Sequence, residues 1–314
     1  MKTAHKRLRD SQVIAERYQV EEFLGAGNTG EVYRCRDLSG GKARVAVKVL
    51  HGVDTDSGPL SVLSAEFSFL RRFSHPNFVR LLDFGILKDT GKVFLAEEFV
   101  AGKDIYSASE GMDIDEQLKL IVSLSKAILY LHSQEIVHGN LKSSNAILRE
   151  HENEDERLKL MDFGLGQWIR KTPQGKINAI PLYTAPEILL GGKANAESDL
   201  YSLGVLIYQL LTRRLPFGDE DPGFLIQKHL QGSFDLRPIE RLSGGAALSQ
   251  LLSRLLDKDP LKRPHSREEV LRLLGEAVGR DCLAMDVKEL ESHFSITRFV
   301  GRENEMTFLQ EGAD

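Results

Sequence analysis

Hydropathy periodicity changes once along this chain, near Asp104, and that single change restricts the fold to two unlike halves. From Tyr18 to about Phe99, segments such as Tyr18–Leu24, Glu31–Arg36, Arg44–Leu50 and Val93–Glu98 are rich in β-branched and aromatic residues. Turn signals such as Gly40-Gly41 and Gly91 separate them, which is the pattern of short antiparallel strands. One stretch, Ser61–Phe73, breaks the alternation with Val62, Leu63, Phe69 and Leu70 at helical spacing. Beyond Asp104 the helical period dominates. Asp115–Gln134 carries Leu118, Ile121, Val122, Leu124, Ile128 and Leu131 in a broad stripe, and Ser198–Thr212, Phe224–Gln231, Ala246–Leu256 and Arg267–Gly275 follow as further helices. Two short strand-like pieces, Ala146–Arg149 and Leu158–Met161, flank an acidic run, Glu152–Glu156, that reads as a solvated hairpin loop. The expected class is α+β, with a small sheet plus one helix in front of a mainly helical half.

Length and charge exclude several functions. A chain of 314 residues, 41% hydrophobic, can bury a large core in more than one unit. A formal net charge of −5 gives no field for gathering nucleic acid or an anionic membrane, so neither is expected as a partner. The basic cluster Lys2, His5, Lys6, Arg7 and Arg9 reads as a solvated terminus. Cys35 and Cys282 lack metal or redox spacing and imply no disulfide framework, which suits a reducing, cytoplasmic setting. No run approaches the roughly 18 apolar residues of a membrane span, and no signal-peptide core opens the chain.

Chemistry gathers at three places. Gly25, Gly27 and Gly30 form a G-x-G-x-x-G between two strand-like segments. Alone this is weak, because glycine serves many turns, but Glu31–Cys35 continues as a strand and so excludes a dinucleotide-binding strand-to-helix turn. Lys48 follows in Val45-Ala46-Val47-Lys48-Val49. A lysine on an alternating strand is usually solvated, yet one placed about twenty residues past a glycine loop reaches phosphates beneath that loop. Glu66, on the expected helix, is a plausible carboxylate to hold it, although a glutamate there is more often a surface residue. Finally, His138-Gly139-Asn140-Leu141-Lys142-Ser143-Ser144-Asn145 precedes Asp162-Phe163-Gly164. The Asn145 amide and the Asp162 carboxylate offer hard oxygens suited to Mg²⁺ bridging phosphates.

Taken in order with Ala185-Pro186-Glu187, these segments resemble the eukaryotic-type protein-kinase signature set, from about Tyr18 to Leu274. Ser74-His75-Pro76-Asn77, the run Ser198–Gly204 and Arg263, similar to the arginine that pairs with Glu187, extend the resemblance. It implies a bilobal kinase fold: an N-terminal tail at 1–17, an N-lobe at 18–100, a C-lobe at 101–275, and a linker at 276–314. It also implies an adenine sandwich of Val32, Ala46 and Ile147, a hinge at Glu98 and Val100, and Glu97 guarding the back of the pocket. Leu70, His138 and Phe163 are similar to the hydrophobic column joining the lobes, and Lys142 matches the serine/threonine class. ATP, Mg²⁺ and a protein substrate or partner are the implied ligands.

Three departures cluster where the alcohol acceptor is expected. The family reads His-Arg-Asp where this chain has His138-Gly139-Asn140. An amide at 140 carries no charge and takes up no proton at ordinary pH, so the designated base is missing. Gly139 removes the arginine that binds a phosphorylated activation loop, and Ile180 stands where active members commonly carry threonine. Coordinated loss of three neighbours is the pattern of natural decay rather than of one silencing substitution. A general base contributes roughly 10²–10⁴-fold, so residual activity is compatible with its loss. The expected function is a regulatory pseudokinase that binds Mg-ATP, with a weakly active serine/threonine kinase and a non-nucleotide-binding interaction module as alternatives. Met285–Phe294 reads as a short amphipathic helix, and residues 299–306 resemble the opening of an ATPase module.

Overall fold

The computed structural model describes residues 8, 10–27, 30–39, 43–54, 67–68, 70–71, 73–149, 157–164, 181–218, 221–279 and 281–283. Six antiparallel strands form the first sheet: β1 (Val13–Ile14), β2 (Tyr18–Ala26), β3 (Gly30–Asp37), β4 (Arg44–Asp54), β5 (Leu81–Ile86) and β6 (Lys92–Glu98), in the order β1-β2-β3-β4-β6-β5. Residues 67, 68, 70 and 71 are helical. The acidic run, the helix expected over 285–294 and most of the helix expected over 61–73 lie outside the described residues.

Register sorts the sheet into two faces, because residues directly opposite each other on paired strands point the same way. Val32 lies opposite Lys48, Lys48 opposite Leu95, and Ala46 opposite Glu97, so these five residues share the inner face. The intervening positions, Tyr33, Cys35, Val45, Val47, Phe94 and Ala96, turn outward into a second core with Ile14, Tyr18, Val20 and Leu87. Sequence reading left Val13–Ile14 within the tail. The reversal after β1 uses Ala15 and Glu16, both at positive φ, in place of the glycine or asparagine that marks such turns. Arg17 then clamps the strand down, donating from Nε and Nη2 to Asp37 (2.9 and 2.6 Å) and from Nη1 to Asp83 (2.9 Å).

A second, three-stranded sheet orders β7 (Gly102–Asp104), β8 (Ala146–Arg149) and β9 (Leu158–Leu160). The helical half comprises α1 (Ile105–Ala108), α2 (Ile114–Ser133), α3 (Pro186–Leu189), α4 (Ala196–Thr212), α5 (Pro222–Gln231), α6 (Arg237–Glu240), α7 (Gly245–Leu255) and α8 (Arg267–Val278). α2 starts on a capping box between Asp113 and Glu116, and α4 on one between Asn195 and Ser198. Both are apolar nearly all round, so they are buried along most of their length in a core that continues to Leu50, Leu81 and Leu95 of the first sheet and to the helical Phe67. Arg263, fully buried, forks onto both oxygens of Glu187 at 2.7 and 2.8 Å and donates to the Glu197 and Asp257 carbonyls. This bidentate pair ties the start of α3 to the segment ahead of α8. Among the described residues, no helix is long and apolar enough to cross a membrane.

Candidate active site

The glycine hairpin between β2 and β3 closes with the Gly27 N–H donating to the Gly30 carbonyl at 2.9 Å. Its three glycines answer different needs. A Cβ at Gly30 would meet the Val49 carbonyl oxygen at 2.3 Å, so that glycine is required by the close approach of β4. At Gly25 and Gly27 an added Cβ would meet nothing within 4 Å, and these two border open space. Asn28 and Thr29, between them and Gly30, lie outside the described residues.

The inner face of β4 carries Lys48 into the cleft, and there its Nζ donates to both oxygens of Asp162 at 2.6 Å. Lys48 is 4% exposed and Asp162 7%. An ion pair this buried is sustained only because each charge faces the other. Asp162 adopts a left-handed backbone (φ 63°), uncommon for a residue with a side chain. The Gly164 N–H, donating to the Val137 and His138 carbonyls at 3.2 and 3.3 Å, helps hold that turn. Phe163 packs between Phe73 and Phe78, ring centroids 5.3 and 5.0 Å away, and Leu70 sits against Gly164. Leu70, His138 and Phe163 are all buried around this turn.

The hairpin of β8 and β9 brings Asn145 to the same end of the cleft. Ala146 pairs with Leu160, and the Met161 N–H donates to the Asn145 carbonyl at 3.0 Å, so Asn145 and Asp162 leave adjacent strand ends. Asn145 is buried and its Nδ2 donates to the Asn140 carbonyl at 2.7 Å. With that nitrogen engaged, the amide oxygen is the atom left to serve as a ligand. Among the described residues no group of three or more His, Cys, Asp or Glu side chains gathers as a metal site. One carboxylate and one amide fit Mg²⁺, which takes few protein ligands and completes its shell with phosphate and water oxygens.

Val32 and Ile147 are half-buried and Ala46 is buried, Ala46 sharing the inner face with Lys48. Glu98 and Val100 are half-buried where β6 ends, with the Glu98 N–H donating to the Arg80 carbonyl at 3.0 Å. Glu97 projects from the inner face and is 8% exposed. Burial, reinforced by the negative charge of Asp162 and opposed by Lys48, pushes its carboxyl up to about 7. Lys142 is half-buried, and burial lowers its ammonium while Asp162 opposes the shift. Glu66 and Ile180 lie outside the described residues.

Sequence reasoning gave no role to the residue that holds the loop at 138–140. Asp199, 1% exposed on α4, accepts from the backbone N–H of His138 at 2.7 Å and of Gly139 at 2.8 Å, and lies 3.0 Å from His132 Nε2. In the sequence it stands within the run Ser198–Gly204 that extends the resemblance, where nothing local marks its partners. Gly139 takes a left-handed conformation (φ 70°), and Asn140 Nδ2 is buried without a hydrogen-bond partner among the described residues. Tyr183 Oη donates to Gln209 Oε1 at 2.6 Å and lies 3.1 Å from Ser143 Oγ, linking the segment before α3 to this loop.

The chain is 31% identical over 289 residues to the serine/threonine-protein kinase pkn3 of Myxococcus xanthus, covering 88% of this chain and 52% of that one. It is 34% identical over 281 residues to pkn2 of the same organism, covering 85% and 33%. The chain thus spans about half, or less, of the curated relatives it matches. A crystal structure of the Mycobacterium tuberculosis PknI kinase domain, a double mutant, aligns with a TM-score of 0.65 at 25% identity, covering 87% of this chain and 100% of that one. The protein kinase domain pattern matches residues 18–272, and the chain belongs to the protein kinase domain family.

Proposed function

We propose that this kinase-family domain binds Mg-ATP but has impaired phosphoryl transfer, and so acts as a regulatory pseudokinase toward a protein partner. The observation that carries the reading is an asymmetry within one cleft: Lys48 and Asp162 stand paired at 2.6 Å, while position 140 offers a neutral amide whose nitrogen has no partner among the described residues. Gly25, Gly27 and Gly30 would cover the triphosphate, Lys48 would neutralise it, and Asn145 with Asp162 would hold the metal. Val32, Ala46, Ile147, Glu98 and Val100 would frame the base. Bound Mg²⁺ supplies charge neutralisation across the phosphates. Asp162 has lone pairs enough to meet both Lys48 and a metal, since a carboxylate accepts at about four positions. Asn140 orients a hydroxyl without accepting its proton, which removes the general-base contribution and leaves positioning and electrostatics. Nucleotide then serves as a conformational ligand for residues 18–100 and 101–275, favouring whichever lobe arrangement binds it better.

A weakly active serine/threonine kinase is the second reading. Lys142 lies within electrostatic reach of Asp162 and Lys48, where a cation stabilises transferring oxygens, and both curated relatives carry kinase names.

One preparation tests both readings. ATP with Mg²⁺ is expected to raise the melting temperature, Lys48→Ala to abolish that rise, and transfer of labelled γ-phosphate to remain at background. At about 100 times Kd the gain is roughly 2.7 kcal/mol. Ready transfer that disappears in Asp162→Ala selects the second reading. Absence of any nucleotide-dependent shift defeats both.

A further inference from the structure

Glu97 is a charged residue in an apolar frame. On its two sides in the sheet stand Ala46 of β4 and Leu81 of β5, both buried and neither carrying a side-chain donor. Lys48, the cation whose field it feels, gives Nζ to both oxygens of Asp162 instead. Neither carboxyl oxygen of Glu97 has a hydrogen-bond partner among the described residues, and neither is sealed from solvent, unlike the side-chain nitrogen of Asn140. A carboxyl so placed, on a residue 8% exposed, is costly until a donor completes it.

Position decides where that donor comes from. Directly opposed residues on paired strands hold their Cβ atoms about 4.5–5.5 Å apart, so whatever lies against Ala46 lies beside Glu97 as well. Ala46 is one of the residues that would frame a base, and the backbone of Glu98 follows Glu97 directly. A base edge that meets the Glu98 backbone therefore also comes within reach of the Glu97 carboxyl. An exocyclic amine carries two hydrogens, one for each of these neighbours. A carboxyl accepts in either protonation state, so the contact does not depend on which form is present.

We propose that Glu97 is a specificity-determining residue of the nucleotide site, its carboxyl accepting a hydrogen bond from the exocyclic amine of a 6-aminopurine. This rests on the nucleotide-binding reading above and adds to it a side chain that selects the base. A base with only hydrogen at C6 fills the same space and leaves the carboxyl without a donor, which is the arrangement that sites built around a hydrogen bond reject.

The test measures dissociation constants by titration calorimetry on the full chain, with Mg²⁺ and two probes that differ only in the amine: ATP and purine riboside 5′-triphosphate. The Glu98 backbone is the same in every variant, so the informative quantity is how the ratio of the two constants changes with residue 97. The parent is expected to prefer ATP. Glu97→Met, similar in size but without an acceptor oxygen, should lower that preference about tenfold, the order of one charge-assisted hydrogen bond. Glu97→Gln keeps an acceptor and should retain most of it. A role in shape alone would weaken both probes alike and leave the ratio where it was. Equal binding of the two probes by the parent overturns the assignment without recourse to any variant. So does a ratio that Glu97→Met leaves unchanged, or one that Glu97→Gln and Glu97→Met lower equally. Failure of the parent to bind either probe overturns the nucleotide reading itself, and this assignment with it.

Discussion

The two ends of the cleft are built in opposite ways. At the proposed nucleotide end, charge sits on buried side chains: Lys48, Asp162 and Glu97 are each under a tenth exposed, and burial with the charge of Asp162 raises the Glu97 carboxyl while Lys48 opposes the shift. At the acceptor end the loop His138-Gly139-Asn140 is held through its backbone by one buried carboxylate, Asp199, whatever side chains it carries. The difference teaches how a kinase-family cleft tolerates change at one end only. Replacing a side chain at 139 or 140 leaves Asp199 its two N–H donors, whereas replacing Lys48 leaves Asp162 buried and unpaired.

The largest expected effect breaks the scaffold end. Asp199→Ala strands the N–H groups of His138 and Gly139 and the ring of His132, and is expected to cost roughly 3–5 kcal/mol in urea unfolding. Because Lys48 and Asp162 meet without Asp199, the nucleotide-dependent thermal shift should survive in the fraction that folds. Loss of that shift in folded protein shows that the two ends are one unit.

Glu97→Gln probes the charged end. The folded-state carboxyl, raised to about 7 from an ordinary 4.5, stays protonated while the unfolded chain has already ionised. The native state therefore binds more protons between those values. Stability that Glu97 supplies in acid falls as pH rises from about 4.5 to 7 and is flat beyond. The amide does not titrate. Glu97→Gln should match the parent near pH 4.5 and exceed it above pH 7 by an amount on the order of 3 kcal/mol, the linkage value of such a shift. Melting curves across pH check this, and parallel profiles for the two proteins would falsify the charge coupling.

How much of this was legible beforehand follows the range of the interactions. The helices over 114–133, 196–212, 222–231, 245–255 and 267–278 follow from local period and caps, and their expected ends fall within a few residues. β1 was invisible because its turn uses Ala15 and Glu16, which carry no turn signal, and because the Arg17 clamp reaches Asp37 and Asp83, far along the chain. At the candidate site, the glycines, Lys48, Asn145 and Asp162 were read from the sequence as a spaced set. Asp199 was not given its role, since a carboxylate in an apolar helix reveals its partners only when the loop folds onto it.

The smallest effect is the sharpest test of the backbone-held loop. Gly139 sits at φ 70°, a conformation that costs a residue with a Cβ roughly 1–2 kcal/mol. Gly139→Ala should therefore destabilise by about that amount while leaving nucleotide binding untouched. The same strain burdens any attempt to rebuild the acceptor end: the triple change Gly139→Arg, Asn140→Asp and Ile180→Thr should raise phosphoryl transfer yet melt below the double change that keeps Gly139. If Gly139→Ala costs nothing, the loop is free to relax away from Asp199. Its shape would then depend on its side chains after all, and the contrast between the two ends of the cleft would disappear.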